Sequence, residues 1–187
     1  MLDSEARRVL GIDPGTIFLG YGLIAENQRT GPQLNALSWG ALHAPASLAL
    51  PERLLVLHSS LVDLIARLRP TEMAVEEVFA GRNWRSALSL GHAQGIALLA
   101  AAQARLPVAA YATRQVKEAV SGFGGADKAQ VQALVAQHLG LSALPTPDHA
   151  ADALAVALCH IWRGAFAQRI AIAEADSPRR EANNLIP

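Results

Sequence analysis

The residue pattern predicts an α/β fold: a mixed five-stranded sheet, built as a three-strand antiparallel meander plus two parallel strands, flanked by helices. Three observations carry this. Short apolar runs bounded by turn residues alternate, after residue 50, with stretches that are apolar at helical spacing. The first three runs are joined by links too short for a crossover, which makes them antiparallel. The 187 residues are 51% hydrophobic and 17% charged, suiting one globular domain with a real core.

Each element has its own signal. Residues 9–13 form a short buried strand, ended by the turn Asp13-Pro14-Gly15-Thr16. Residues 20–25 are the second strand and residues 34–42 the third, with a polar turn from Asn27 to Pro32 between them. Pro51 to Leu68 carries apolar residues at 54, 55, 57, 61, 64, 65 and 68, a helix that Arg69-Pro70 stops. Met73 to Glu76 is the fourth strand, followed by a loop through Arg82. A long alanine- and leucine-rich helix runs from Trp84 to Arg105, and Pro107 to Tyr111 is the fifth strand. Thr113 to Val120 is a short helix capped by Thr113. Ser121 to Ala126 is a glycine-rich hinge, and the helix from Asp127 to Leu139 ends at Gly140. Thr146-Pro147-Asp148 starts the last helix, with Thr as N-cap and Pro at the first position, running to Phe166. The expected organisation is an N-terminal extension over 1–8, one domain over 9–166 and a polar, mobile C-terminal tail over 167–187.

Composition narrows the function classes. No apolar run reaches the ~18–20 residues of a membrane-spanning helix, and the polar start Met1–Arg8 does not resemble a signal peptide. The lone Cys159 lies in an apolar helix and reads as a buried, inert thiol. These features predict a cytoplasmic protein without a membrane partner. Net charge is zero, which argues against a nonspecific nucleic-acid coat but leaves room for a local basic patch. Lys117 and Lys128 are the only lysines among 16 basic residues, and they lie near one glycine-rich segment. A compact ammonium beside a phosphate is one use for which arginine is no substitute.

The acids are more informative. Asp13 ends one apolar strand, Glu76 ends another, and Asp152 lies in the first turns of the apolar run 150–158, with His149 three residues before it. A carboxylate at the end of a buried strand is costly unless a cation or hydrogen bonds compensate it. Three such positions, far apart in sequence, predict one folded site that gathers carboxylates around divalent metal, Mg²⁺ or Mn²⁺, a chemistry suited to phosphoryl transfer. Glu77 is expected on the opposite face from Glu76, because strand neighbours alternate. Asp148 shares a helix face with Asp152, but the helix dipole already accounts for an acid in the first turn.

Four segments now carry a resemblance. Val9-Leu10-Gly11-Ile12-Asp13-Pro14-Gly15-Thr16 with Gly20-Tyr21-Gly22, then Ala74-Val75-Glu76-Glu77-Val78-Phe79, Arg114-Gln115-Val116-Lys117 and His149-Ala150-Ala151-Asp152-Ala153-Leu154-Ala155 resemble, in order, the motifs of the RuvC family of bacterial Holliday-junction resolvases. The resemblance implies a ribonuclease-H-like fold, a homodimer, and paired nicks in opposed strands of four-way junction DNA. It also implies partnership with the RuvA–RuvB branch-migration complex. Two metal ions per site would be held by Asp13, Glu76, His149 and Asp152. Lys117 and Lys128 match positions implicated in catalysis or DNA contact. Phe79 matches a residue that stacks on a splayed base, a role any exposed loop aromatic can fill. Arg82, Arg85 and Arg114 are further candidates for phosphate contact.

The chain departs from one form of the family pattern, which has Asp-x-x-Asp where this sequence has His149-x-x-Asp152. Positions i and i+3 share a helix face, so His149 is either a ligand or the group that orients or deprotonates the attacking water. Imidazole suits Mn²⁺ better than Mg²⁺, so Mn²⁺ is expected to support activity at least as well as Mg²⁺. Trp84 reads as helix-start packing or a second stacking group. Gly91 and Gly95, four apart on the long helix, allow close packing against the sheet or across a dimer seam. The segment Gly122-Phe123-Gly124-Gly125 lets backbone approach a phosphodiester chain, or is a plain hinge. Rival readings are an actin-like ATPase, for which the chain is too short, an inert junction-binding module, and a related nuclease acting on RNA–DNA hybrids.

Overall fold

A computed structural model describes residues 7–27, 33–77 and 84–176, with side chains as far as residue 164. The expected element order holds: β1 (Arg7–Asp13), β2 (Phe18–Asn27), β3 (Gln33–His43), α1 (Leu50–Leu68), β4 (Glu72–Glu77), α2 (Trp84–Gln103), β5 (Val108–Ala112), α3 (Thr113–Ser121), α4 (Lys128–His138) and α5 (Asp148–Asp176). The sheet order is β3-β2-β1-β4-β5. β1, β2 and β3 pair antiparallel, while β4 joins β1 in parallel and β5 joins β4 in parallel. This is the ribonuclease-H-like arrangement expected from the motifs, with β1 at the centre.

Each face of the sheet has its own core. On one, Leu10, Ile12, Leu19 and Met73 pack on Leu57 and Leu61 of α1 and Ala97 and Ala101 of α2. On the other, Val9, Ile24 and Ala74 pack under α5, which is covered in turn by Val116 and Val120 of α3 and Val131 and Val135 of α4. Helix α5 is thus buried between sheet and helices, which explains why its run 150–158 is apolar at nearly every position. It can lie flush on the sheet because β1 and β2 are glycine-rich beneath it. A Cβ at Gly11 would strike the carbonyl of Ala153, and one at Gly20 would strike that of His149. Cys159 is fully buried in this layer, and burial pushes its thiol up to about 11, as expected of an inert core cysteine.

Three helix starts or ends differ from expectation. Thr113 is the first residue of α3 rather than its N-cap. Ala112 takes the cap position, its N–H donating to Gln115 Oε1 at 3.0 Å, and the Thr113 hydroxyl is used elsewhere. Pro147 precedes α5 instead of occupying its first turn, and its carbonyl accepts the N–H of Ala150 at 2.8 Å. The helix then continues to Asp176, ten residues past the expected stop at Phe166, and at the other end Arg7 and Arg8 already belong to β1. The glycine stops are as expected. Gly122 (φ 75°) and Gly140 (φ 61°) take the left-handed conformation that closes α3 and α4.

Candidate metal centre

Parallel pairing of β1 with β4 sets Ile12 beside Val75, so the next residues, Asp13 and Glu76, emerge together at the same edge of the sheet. The start of α5 crosses that edge. Close approach over Gly20 sets His149 against β2, and its Nδ1 lies 2.7 Å from Asp13 Oδ2. Asp152, one turn on, completes a trio. Among the described residues, ligand atoms of Asp13, His149 and Asp152 all lie within 4.8 Å of one another. Glu76 is not in that tightest set. Its Oε1 accepts the Thr113 hydroxyl at 2.5 Å, and it faces Asp152 across a cavity of about 220 Å³ that Lys117 and Lys128 also line.

The electrostatics are those of crowded acids. Burial, reinforced by the charges of Asp13 and Asp152, raises the Glu76 carboxyl above its ordinary range despite the Thr113 bond. Burial and the charge of Asp13 raise Asp152 in the same way, although Lys128 opposes them. The Asp13 hydrogen bond holds the His149 imidazole above its usual value, favouring an Nδ1–H that donates to the carboxylate. Lys128 lies 3.0 Å from Asp152 and 3.6 Å from Asp148. Partial burial works against its charge, but these two acids outweigh it and hold the ammonium above its ordinary value.

The donor set fits a hard divalent cation. It offers carboxylate oxygens and one imidazole, converging from three elements on a site with more negative than positive charge. A cation placed there offsets both the burial and the neighbouring charges that lift Glu76 and Asp152.

The remaining expected residues divide. Lys117 and Lys128 line one cavity with Glu76 and Asp152. Asp148 is exposed and, among the described residues, pairs with Lys128 at 3.6 Å. Arg114 is exposed on the first turn of α3, its side chain alongside Gly124. Arg85 lies 5.4 Å over the ring of the exposed Trp84, so Trp84 is not packed into the core. Phe79 and Arg82 fall outside the described residues. Gly91 and Gly95 lie on an open face of α2, with nothing within 4 Å of a Cβ at either, which excludes packing against the sheet. The hinge is a built turn: the Ser121 hydroxyl bonds the Lys117 carbonyl at 2.7 Å and meets the Phe123 backbone at 2.9 and 3.2 Å.

Two contributors escaped the sequence reading. Thr113 reads as an ordinary cap, although its place at a strand-to-helix junction beside the acid edge was a usable signal. Phe18 begins β2 opposite His43, and its ring stacks on His43 (centroids 4.8 Å apart) and on His149 (5.9 Å). That contact spans more than a hundred residues, and no local pattern announces it.

A family profile described as crossover junction endodeoxyribonuclease RuvC matches residues 9–160. The RuvC of Chloroflexus aggregans is 49% identical over 165 residues, covering 88% of this chain and 99% of its own. Among solved structures, Thermus thermophilus RuvC in complex with a Holliday junction substrate superposes with a TM-score of 0.79 at 37% identity, covering 86% of this chain and 96% of that one. The yeast mitochondrial Holliday junction resolvase shares the fold alone, at 14% identity and a TM-score of 0.65, covering 90% of this chain and 86% of its own. With the profile spanning every element from β1 to the middle of α5, the chain belongs to the RuvC family of nucleases, the crossover junction endodeoxyribonucleases.

Proposed function

We propose that the chain is a structure-specific endonuclease that resolves four-way DNA junctions by paired symmetric nicks. The chemistry is two-metal-ion phosphodiester hydrolysis, leaving 5′-phosphate and 3′-hydroxyl ends. The observation that carries the reading is the convergence of Asp13, His149 and Asp152 within 4.8 Å, with Glu76 across the same cavity, at the edge of a RuvC-family sheet. The junction-bound Thermus relative supports the substrate.

Asp13, Glu76, His149 and Asp152 are the residues to hold Mg²⁺ or Mn²⁺. Divalent metal bound there supplies activation of water and stabilisation of the leaving oxygen in an in-line displacement. Asp13 sits between the groups of β4 and α5 and fixes the orientation of His149 through Nδ1. Thr113 holds the Glu76 carboxylate in place. Lys117 and Lys128 bring ammonium groups to the scissile phosphate. Lys128, 3.0 Å from Asp152, would give up that acid to a bound metal. Arg114 and Arg85 suit contact with the DNA backbone, and Phe79 and Arg82 are assigned DNA contacts on family resemblance.

A two-fold substrate calls for two sites related by a matching two-fold axis. The open α2 face, with Trp84, Leu88, Leu98 and Leu99 exposed around Gly91 and Gly95, supports a homodimer seam there. Partnership with RuvA–RuvB and residence in the cytoplasm follow from the family alone. Among the described residues no helix is long and apolar enough to cross a membrane.

The test is cleavage of a mobile four-way junction, a linear duplex and an RNA–DNA hybrid in Mn²⁺ or Mg²⁺, with wild type and Asp13→Asn. Symmetric nicks on the junction, lost in Asp13→Asn while binding persists, are expected, with Mn²⁺ at least as effective as Mg²⁺. Tight binding without cleavage in either metal returns the protein to an inert junction-binding module. Preferential cutting of the hybrid makes it a nuclease of another substrate class.

A further inference from the structure

We infer that Phe18 is a positioning residue for His149, the middle ring of a three-ring stack that fixes the imidazole plane in the metal site. The inference rests on the nuclease reading only for its catalytic consequence.

The stack is His43, Phe18, His149. Phe18 and His43 are register partners on β2 and β3, with ring centroids 4.8 Å apart and planes inclined by 29°. Phe18 and His149 are 5.9 Å apart at 20°. Both pairs fall in the range where offset aromatic stacking is favourable. A histidine at the first turn of a helix, with a side chain about two-fifths exposed, is otherwise free to leave its carboxylate for water. Here one edge of the ring is tied to Asp13 at 2.7 Å and one face is backed by Phe18. The bond sets where Nδ1 points, and the stack removes the rotation about that bond. Gly20, two residues after Phe18, completes the device by letting the backbone of His149 down onto β2. Phe18 is itself 43% exposed, which a core role does not explain, because packing alone would draw a phenyl ring inward. It stands beside His149 from β2, whereas Lys128 approaches Asp152 from α4.

The test pairs a spectroscopic readout with a mutant cycle. Phe18→Leu keeps apolar bulk and removes the ring, while Phe18→Tyr keeps the ring. In ¹⁵N-histidine-labelled wild type, His149 is expected to give a hydrogen-bonded Nδ1–H signal. That signal should broaden or vanish in Phe18→Leu and persist in Phe18→Tyr. Junction cleavage should slow by about threefold to tenfold in Phe18→Leu, the range an aromatic pair is worth. In a His149→Ala background, Phe18→Leu should cost nothing further. A His149 signal and rate unchanged in Phe18→Leu overturn the inference, as does a rate penalty of equal size in the His149→Ala background, which marks Phe18 as plain packing. If wild type cuts no junction yet the Nδ1–H signal depends on the ring at 18, the nuclease reading falls and the positioning role stands.

Discussion

Glu72 and Glu76 lie on one face of one strand, four residues apart, and meet opposite electrostatics. At the start of β4, Glu72 is gripped by Arg7 at 2.6 and 3.0 Å and by His160 Nε2 at 2.6 Å, with Tyr111 bonded to the other nitrogen of that ring at 2.8 Å. The Arg7 bonds, aided by His160, hold Glu72 down at about 2. At the end of the strand, Glu76 has a neutral hydroxyl for a partner and two further acids for neighbours, and burial among them lifts it. Helix α5 serves both ends in the same way, with His149 on Asp13 and His160 on Glu72. The difference is the arginine. One end is a structural network closed by Arg7, which pairs with both Glu72 and Glu26, and the other, among the described residues, has no arginine on its acids, which is the condition a divalent cation relieves.

The comparison breaks most sharply in catalysis. On the proposed assignment Asp13→Asn removes a direct metal ligand, so cleavage should fall by more than the roughly 10- to 100-fold that losing an outer-shell partner costs. Glu72→Gln, far along the same sheet, should leave the turnover of folded protein unchanged, as a single-turnover junction assay of the two variants will show.

Stability should respond the other way round. Glu72→Gln strips a charged acceptor from Arg7 and His160 and should cost about 1–3 kcal/mol in denaturant unfolding at neutral pH. Glu76→Gln keeps an acceptor for Thr113 and removes a repelled charge, so it should raise the midpoint. The two acids also fix opposite pH dependences. A depressed Glu72 contributes stability above its ordinary 4.5 that disappears as pH falls toward about 2. A raised Glu76 favours the folded state below 4.5, and that contribution is lost as pH rises through its higher folded value. The unfolding midpoints of Glu72→Gln and wild type should therefore converge in acid, and those of Glu76→Gln and wild type should converge below pH 4.5. Parallel curves at all pH values would show that neither charge matters.

The smallest effect concerns Lys128, the counter-charge at the deficient end. It is half-exposed, so its pair with Asp152 is worth about 0.2–1 kcal/mol. Lys128→Gln should accordingly tighten Mn²⁺ binding by up to about fivefold while slowing cleavage. Unchanged or weaker Mn²⁺ binding in Lys128→Gln would mean that Lys128 does not compete with metal.

Much of the deficient end was legible in the sequence because each of its acids breaks an apolar pattern. Asp13 and Glu76 end strands, and Asp152 interrupts a helix that is otherwise buried; such interruptions stand out against core periodicity. The order of elements was legible for the same reason. The arginine-paired end was not, because Arg7, Glu72 and His160 look like ordinary polar residues, and only the parallel β1–β4 register and the path of α5 bring them together. Thr113 and Phe18 were hidden differently. Each has a plausible local role, a cap and a strand start, and tertiary contacts override both. The extent of α5 was missed because its sequence beyond Phe166 is broken by Gln168, Arg169 and Glu174 and lacks the continuous apolar run of its first turns.

The most direct measurement is the Mn²⁺-dependent shift in unfolding temperature of wild type, Asp13→Asn and Glu72→Gln. The account predicts a rise with Mn²⁺ for wild type and an equal rise for Glu72→Gln from a lower starting point, with little or none for Asp13→Asn. An Mn²⁺ shift that survives in Asp13→Asn, or that disappears in Glu72→Gln, would contradict the assignment of metal binding to the charge-deficient end of the strand.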